Sequence, residues 1–326
     1  MADETAALCR DISIKPQDHA DWMSQLPEIL RDEPLYNLAI PGSHDTMTYC
    51  LDLSSPLQES MPHALKVLDR IIPCIIRPCL SKWSTTQVQK ISAQLDIGIR
   101  YFDLRIAHKE HDTTKALYCA HGVYTLLTVK DALKDIAEWL TSHPKEVLLL
   151  ACSTFEGMNT VLHQDLILFL KSLFGSKIFP RTCEKPATLA TFWKLGHQVI
   201  ISYDHSAASG HEELWPKIPY WWANQIDPSG VLSYLKEQQK GGRPDGFFVA
   251  GLNLTEDTKY ILTHPCQSIK SLTLQSSPQF LDWVKEQSPG PGSACLNIIC
   301  GDFVGNSDLV SIVIDLNNKL AERLTS

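Results

Sequence analysis

The sequence predicts an α/β chain folded as a single TIM-type (β/α) barrel, on three observations. Strand-length apolar runs recur along the chain, with helical patterns between several of them, the alternation that builds βαβ units and a parallel sheet. Most of these runs are continuous rather than alternating, as strands covered on both faces are. Seven or so strands over roughly 300 residues suit such a barrel better than a small doubly wound sheet.

The elements follow in order. The opening MADETAALCRDISIKP has no basic stretch and no apolar core, so it does not read as a secretory leader. YNLAIP (36–41) is the first strand. VLDRIIPCIIRPCLSKW (67–83) is apolar with Arg70, Arg77 and Lys82 interspersed, and Pro73 and Pro78 are expected to break any long helix. It packs on the barrel by default; its sharper reading is a membrane-contacting surface. IRYFDLRIA (99–107) and ALYCA (116–120) are the next strands.

TVKDALKDIAEWLTSHP (128–144) is the clearest helix, with Val129, Leu133, Ile136, Ala137 and Leu140 on one face. Thr128 with Asp131 resembles a capping box, and Pro144 follows the end. EVLLLAC (146–152), QVIISY (198–203), GFFVAGLNL (246–254) and LNIICGDF (296–303) read as strands. MNTVLHQDLILFLKSLFG (158–175), SGVLSYLKEQQKGG (229–242) and GNSDLVSIVIDLNNKLAERL (305–324) read as helices. SPGPGS (288–293) is a turn rather than a linker, and no internal repeat is visible, so residues 1–326 form one domain. Its core is expected over about 30–324, with 1–29 as an N-terminal extension.

A hydrophobic content of 44% and a charged content of 20% fit a globular chain with a sizeable core. The net charge of −8 and the lack of a basic tract disfavour nucleic acid, but not an anionic lipid held in a local positive pocket. Ten cysteines occur without any CxxC pair or zinc-like spacing. Several lie in apolar runs, as reduced cysteines do, which points to a reducing, cytoplasmic location. No run approaches the ~20 apolar residues of a membrane span.

Three segments carry candidate chemistry: AIPGSHDT (39–46), GIRYFDLR (98–105) and CAHG (119–122). They offer His44, His121, Asp45, Asp103 and Arg105, and two histidines with a fixed cation suffice to cleave a phosphodiester without metal. Taken alone, His44 reads as an incidental residue of a strand-to-helix turn; beside the other segments it does not. Asp103 and Arg105 are two apart on a strand and share a face. They read as a structural ion pair, and Arg105, near the strand end, equally as a phosphate ligand. Arg100 reads as an outward or structural charge.

His121 precedes Gly122, which permits close approach. Asp302, in CGDF, reads either as a helix cap or as the orienter of a catalytic histidine. His205, in SYDHS, is a weaker candidate. The aromatics of PYWWAN (219–224) suit core packing, a stacking wall for a sugar or cyclitol, or an interfacial anchor. A barrel would gather the strand ends that carry these residues at its C-terminal face.

As a set, IPGSHDT, WSTTQ (83–87), QLDIGIRYFDLR (94–105), HG (121–122) and PKEVLLLA (144–151), with PYWW, GLNLTE and NIICGDF, resemble a known family. It is the X-box catalytic domain of phosphatidylinositol-specific phospholipases C, in particular the stand-alone PI-PLC X domain-containing proteins. The resemblance spans nearly the whole chain and leaves no room for PH, EF-hand, Y-box or C2 modules. It implies an irregular or incompletely closed barrel that cleaves a phosphoinositide to diacylglycerol and an inositol phosphate.

By that resemblance His44 is the general base on the inositol 2-hydroxyl and His121 the general acid on the diacylglycerol oxygen. Asp45 supports the acid, Asp302 orients the base, and Arg105 holds the phosphate. Tyr203, Trp222 and Asn253 are the candidates for substrate contact. The calcium-dependent branch resembles a different pattern, with Asn after the first histidine and Glu-x-Asp on the second strand. Asp45, Asp103 and Arg105 stand at those positions, and Cys152 or Ser153 where another acid is expected. A metal would find too few oxygen ligands, so neither metal nor cofactor is expected. The expected partner is a phosphoinositide at a membrane surface, reached by transient peripheral contact, with no obligate protein partner. The alternative reading is a weakly active or non-catalytic phosphoinositide-binding scaffold on the same barrel; a metal-dependent glycerophosphodiesterase is disfavoured by Arg105.

Overall fold

A computed structural model describes residues 18–264 and 267–326. The described strands are β1 (Ile40–Ser43), β2 (Tyr101–Ala107), β3 (Tyr118–His121), β4 (Val123–Thr128), β5 (Leu148–Glu156), β6 (Val199–Tyr203), β7 (Leu214–Trp215), β8 (Tyr220–Trp221), β9 (Val249–Gly251) and β10 (Ile298–Gly301). They form one sheet in the order β7-β6-β5-β2-β1-β10-β9-β8, with every neighbouring pair parallel. This curled parallel sheet with helices outside it is the expected α/β barrel, and it is incompletely closed. Its two edge strands, β7 and β8, are consecutive in sequence and joined through Pro216 and Pro219, which have no N–H to offer a ladder.

The third apolar run departs from the expectation. β3 is not a barrel strand: it runs antiparallel to β2 and forms a hairpin with β4. The turn between them is the single residue Gly122, at φ +78°, a conformation that favours glycine. β4, β7 and β8 were not anticipated: β7 and β8 are two residues each, and β4 ends in exposed leucines directly before a helix.

Strand register defines an inward column on each barrel strand. Ile40 and Gly42 pair with Ile298 and Cys300, Tyr101 and Asp103 with Leu149 and Ala151, and the latter two with Ile200 and Ser202. The barrel floor is therefore apolar and its C-terminal mouth is polar. A Cβ on Gly42 would lie 3.0–3.2 Å from Tyr101, Ile298 and Cys300, so any larger residue would press those side chains aside by a few tenths of an ångström. Outward residues of the same strands, such as Phe102, Leu104, Leu150 and Ile201, pack with the helices.

The helix over Val129–Ser142 starts with the expected capping box of Thr128 and Asp131. Helices Thr160–Phe174, Pro228–Gly241 and Leu309–Thr325 lie where helical patterning placed them. Helix Ile269–Glu286 was not anticipated. Pro73 ends one helix, His63–Ile71, and opens the next, Pro73–Ser84; Pro78 does not break that second helix but lies inside it.

The body also begins earlier than residue 30. Trp22, Met23, Leu26 and Leu30 join the apolar core at the barrel floor. There the buried Glu146 accepts from the backbone N–H of Met23 and Ser24, and pairs with the buried Arg100 at 2.8 Å. Arg100 is thus the structural charge of the two readings open to it. Among the described residues, no helix is long and apolar enough to cross a membrane.

Candidate active site

Four segments converge at the barrel mouth: the turn after β1, the C-terminal half of β2, the tip of the β3–β4 hairpin and the end of β10. His44 follows β1 and is buried. Its Nδ1 lies 2.7 Å from Oδ1 of Asp302, which fixes the proton on Nδ1 and leaves the Nε2 lone pair free to accept. Arg105 donates to that Nε2 from a guanidinium nitrogen 2.7 Å away.

Asp45 joins the two histidines. Its Oδ2 lies 3.4 Å from His44 Nε2 and 3.6 Å from His121 Nε2, while its Oδ1 receives Arg105 Nε at 2.8 Å. The residue holds a left-handed φ of +44°, a conformation Asp tolerates better than most and one that clusters at functional sites. Its backbone N–H donates to Asp103 Oδ2, which also accepts from Arg105 Nε at 3.2 Å. Arg105 is therefore ion-paired, as one reading of β2 expected, and it also lines the cavity.

His121 approaches from the hairpin. Its Nδ1 is 2.8 Å from the carbonyl oxygen of Ser84, so Nδ1–H donates there and Nε2 faces Asp45. Ser84 is the last residue of helix Pro73–Ser84.

The electrostatics separate the groups. Burial pushes the His44 imidazole down, but Asp45 and Asp302 outweigh it against the opposing Arg105, so its pKa stands above 6.5. Burial pushes Asp45 up; Arg105, His121 and His44 together hold it below its ordinary value. Arg105 is made still more basic, because Asp45 and Asp103 exceed the cost of its burial.

His44, Asp45 and Asp103 bring one potential metal-ligand atom each to within 4.8 Å of one another. Arg105 contacts all three of these residues. A divalent ion on this trio would have to displace a guanidinium, so the donor set does not fit a resident metal.

Two cavities meet at His44 and Arg105, sharing also Trp222 and Asn253. The inner one, about 280 Å³, is lined by polar groups that include Asp103, Ser153, Ser202, Asp204, Lys217 and Tyr220. The outer one, about 300 Å³, holds His121 and Glu256 with Trp83, Leu254 and Ile269. His44 and Arg105 thus sit where the two chambers meet, and His121 lines only the outer one.

The remaining sequence candidates divide. Asn253 lies at the junction, where its Oδ1 accepts from Tyr220 OH at 2.9 Å. Trp222 stands at the rim, half-exposed, donating to Thr255 Oγ1, while Trp221 is core. Tyr203 lines neither of these two cavities. It points outward from β6, stacks on Phe155 and bonds His163 Nδ1 at 2.7 Å, and its neighbour Ser202 faces the inner chamber instead. His205 stacks on His163 and lines neither cavity.

Some positioning residues carried no signal of their own in sequence. Gln87 Nε2 donates to the carbonyls of both His44 and Gly301, clamping the ends of β1 and β10, and Thr86 Oγ1 donates to the His44 carbonyl. Both lie in WSTTQ. Lys217 and Asp204 pair at 2.7 Å on the wall of the inner chamber. They come from loops next to short strands, where patterning gives no direction.

The chain is similar to known proteins along almost its whole length. The family described as phosphatidylinositol-specific phospholipase C, X domain, matches residues 79–205. PI-PLC X domain-containing protein 1 of Danio rerio is 54% identical over 92% of this chain and 97% of its own. Its Homo sapiens counterpart is 50% identical over 92% and 93%. A mutant of the phosphatidylinositol-specific phospholipase C from Staphylococcus aureus superposes with a TM-score of 0.66 at 15% identity, covering 93% of this chain and 99% of its own. The Listeria monocytogenes enzyme of the same name gives 0.61 at 17% identity, covering 92% and 98%.

Proposed function

Since the chain belongs to the phosphatidylinositol-specific phospholipase C X-domain family, we propose that it is a metal-independent phospholipase C that acts on a phosphoinositide at a cytoplasmic membrane surface. The observation that carries this reading is the Asp302–His44–Arg105 chain, with Asp45 between the two histidines, at the junction of the two cavities. Its free cysteines, eight among the described residues, support a reducing compartment.

In this reading the inositol ring occupies the inner chamber, with its hydroxyls toward Asn253, Ser153, Ser202 and the Lys217–Asp204 pair. The glycerol end lies in the outer chamber beside Trp83, Leu254 and Trp222. The phosphate sits between them and draws Arg105 off His44 Nε2. That freed nitrogen takes the proton of the inositol 2-hydroxyl as its oxygen forms a bond to phosphorus. The bond from phosphorus to the diacylglycerol oxygen breaks, and His121 Nε2–H delivers a proton to that oxygen. Arg105 balances the charge that builds on the non-bridging oxygens.

Asp302 keeps the proton of His44 on Nδ1, and Asp45 supports His121 as the acid. Water, activated with the two histidines in exchanged roles, then opens the cyclic phosphate to an inositol phosphate. The test is release of water-soluble inositol phosphate from a panel of phosphoinositides, with calcium and with EDTA, beside His44→Ala. Headgroup binding without product would contradict the reading.

A further inference from the structure

We propose that the corner between helices His63–Ile71 and Pro73–Ser84 is the surface by which this protein docks on an anionic lipid bilayer. This rests on the phospholipase reading and extends it to the face that meets the substrate's membrane.

The corner exposes apolar side chains that a surface helix would ordinarily bury. Ile71 is 68% exposed and Ile75 62%, with Val67 and Leu68 exposed beside them. This is not a misplaced core stripe, because the pair already has a buried side. There Leu65, Ile76 and Leu80 pack with Leu57 and Val123. The helices therefore carry two apolar faces, one used within the fold and one turned to solvent.

Charge argues for the occupant. The chain carries a net −8, yet residues 63–84 hold four basic residues against one acid. That acid, Asp69, is buried and bonded to Arg77, so it contributes little to the outer field. Arg70 and Lys82 remain exposed beside the apolar residues. Exposed apolar groups flanked by cations suit the headgroup boundary of an anionic membrane better than another acidic copy of the chain.

Position argues the same way. The second helix runs from the corner to the site: Ile75 is about 14 Å along it from Ser84. Its last residues are Trp83, which walls the outer chamber, and Ser84, whose carbonyl holds His121. Trp222, 50% exposed, stands at the rim of the same chamber. A bilayer seated on the corner would meet the helix whose far end frames the chamber proposed for the glycerol end.

The test uses the full chain with vesicles of phosphatidylcholine, with and without phosphatidylserine, read by co-sedimentation. Wild type is expected to partition onto the phosphatidylserine vesicles, and Ile71→Ser with Ile75→Ser to lose this by about tenfold or more. Ile71→Trp with Ile75→Trp is expected to bind more tightly, which separates docking from a folding defect. Turnover of a water-soluble, monomeric inositol phosphodiester should be unchanged in both variants.

If wild type does not turn over the water-soluble phosphodiester while the serine variant still loses vesicle binding, docking stands and the catalytic reading fails. Wild type that ignores vesicles overturns the proposal. So does equal binding by wild type and the serine variant, or a serine variant that changes only the oligomeric state.

Discussion

A guanidinium nitrogen of Arg105 lies 2.7 Å from Nε2 of His44, on the lone pair that a general base must use. The same side chain contacts Asp45 and Asp103, so one fixed cation covers three groups that a metal ion would otherwise need. This places Arg105 at the centre of both the resting site and the proposed reaction.

Arg105→Lys should therefore lower kcat by about 10²-fold or more, since an ammonium cannot reproduce the fork. Wild-type activity should be indifferent to EDTA. Steady-state assays of both proteins with EDTA and with calcium check this; calcium-dependent wild-type turnover would contradict it.

The pH profile should report Asp302. Burial lowers the His44 pKa, but Asp45 and Asp302 raise it further, so the base frees its lone pair only above pH 6.5. The acid limb of kcat/KM should lie above that pH. In Asp302→Asn it should move down, with kcat reduced about 10²- to 10⁴-fold. By linkage, the raised pKa stabilises the fold fully below pH 6.5 and is lost as pH rises through the folded value.

Glu256 should set the alkaline side of substrate binding. Burial, aided by Asp302, pushes its carboxyl up to about 7 in the chamber that holds His121. Below that pH it is neutral; above it, a second negative charge faces the phosphodiester. KM should rise with pH through 7 in wild type and stay flat in Glu256→Gln. KM measured across pH for both proteins decides this.

The barrel floor gives a stability prediction. Glu146→Ala would strand the buried Arg100 and release the N–H groups of Met23 and Ser24. The expected cost is about 3–5 kcal/mol, read as a lower urea midpoint. Arg100→Met with Glu146→Leu should recover much of it.

How far the sequence spoke depended on what it placed inside each apolar run. In β2, Asp103 and Arg105 interrupt an apolar run two residues apart, so their shared face could be read directly. In β6, VIISY is buried on both sides and carries no alternation, so nothing distinguished Ser202, which faces the cavity, from Tyr203, which does not. The hairpin that delivers His121 was hidden because ALYCA looks like any buried strand, while its partner β4 ends in the exposed Leu126 and Leu127. Gln87 and Ser84 act through a side-chain amide and a backbone carbonyl, and Lys217 sits between prolines; no local pattern encodes such contacts. The closing helix and the Thr128 capping box were legible because each rests on interactions a few residues apart, whereas the first strand, held by partners far along the chain, begins at Ile40, after a 3-10 turn over Leu35–Asn37, and not at residue 36 as expected.

The central claim is that His44 and His121 exchange protons across a phosphodiester without a metal. The direct measurement is release of water-soluble inositol phosphate from phosphoinositide vesicles in EDTA by wild type, His44→Ala and His121→Ala. Wild type should release it, and each variant should fall by about 10²- to 10⁴-fold. Undiminished release by either variant, or wild-type release only when calcium is added, would contradict the account.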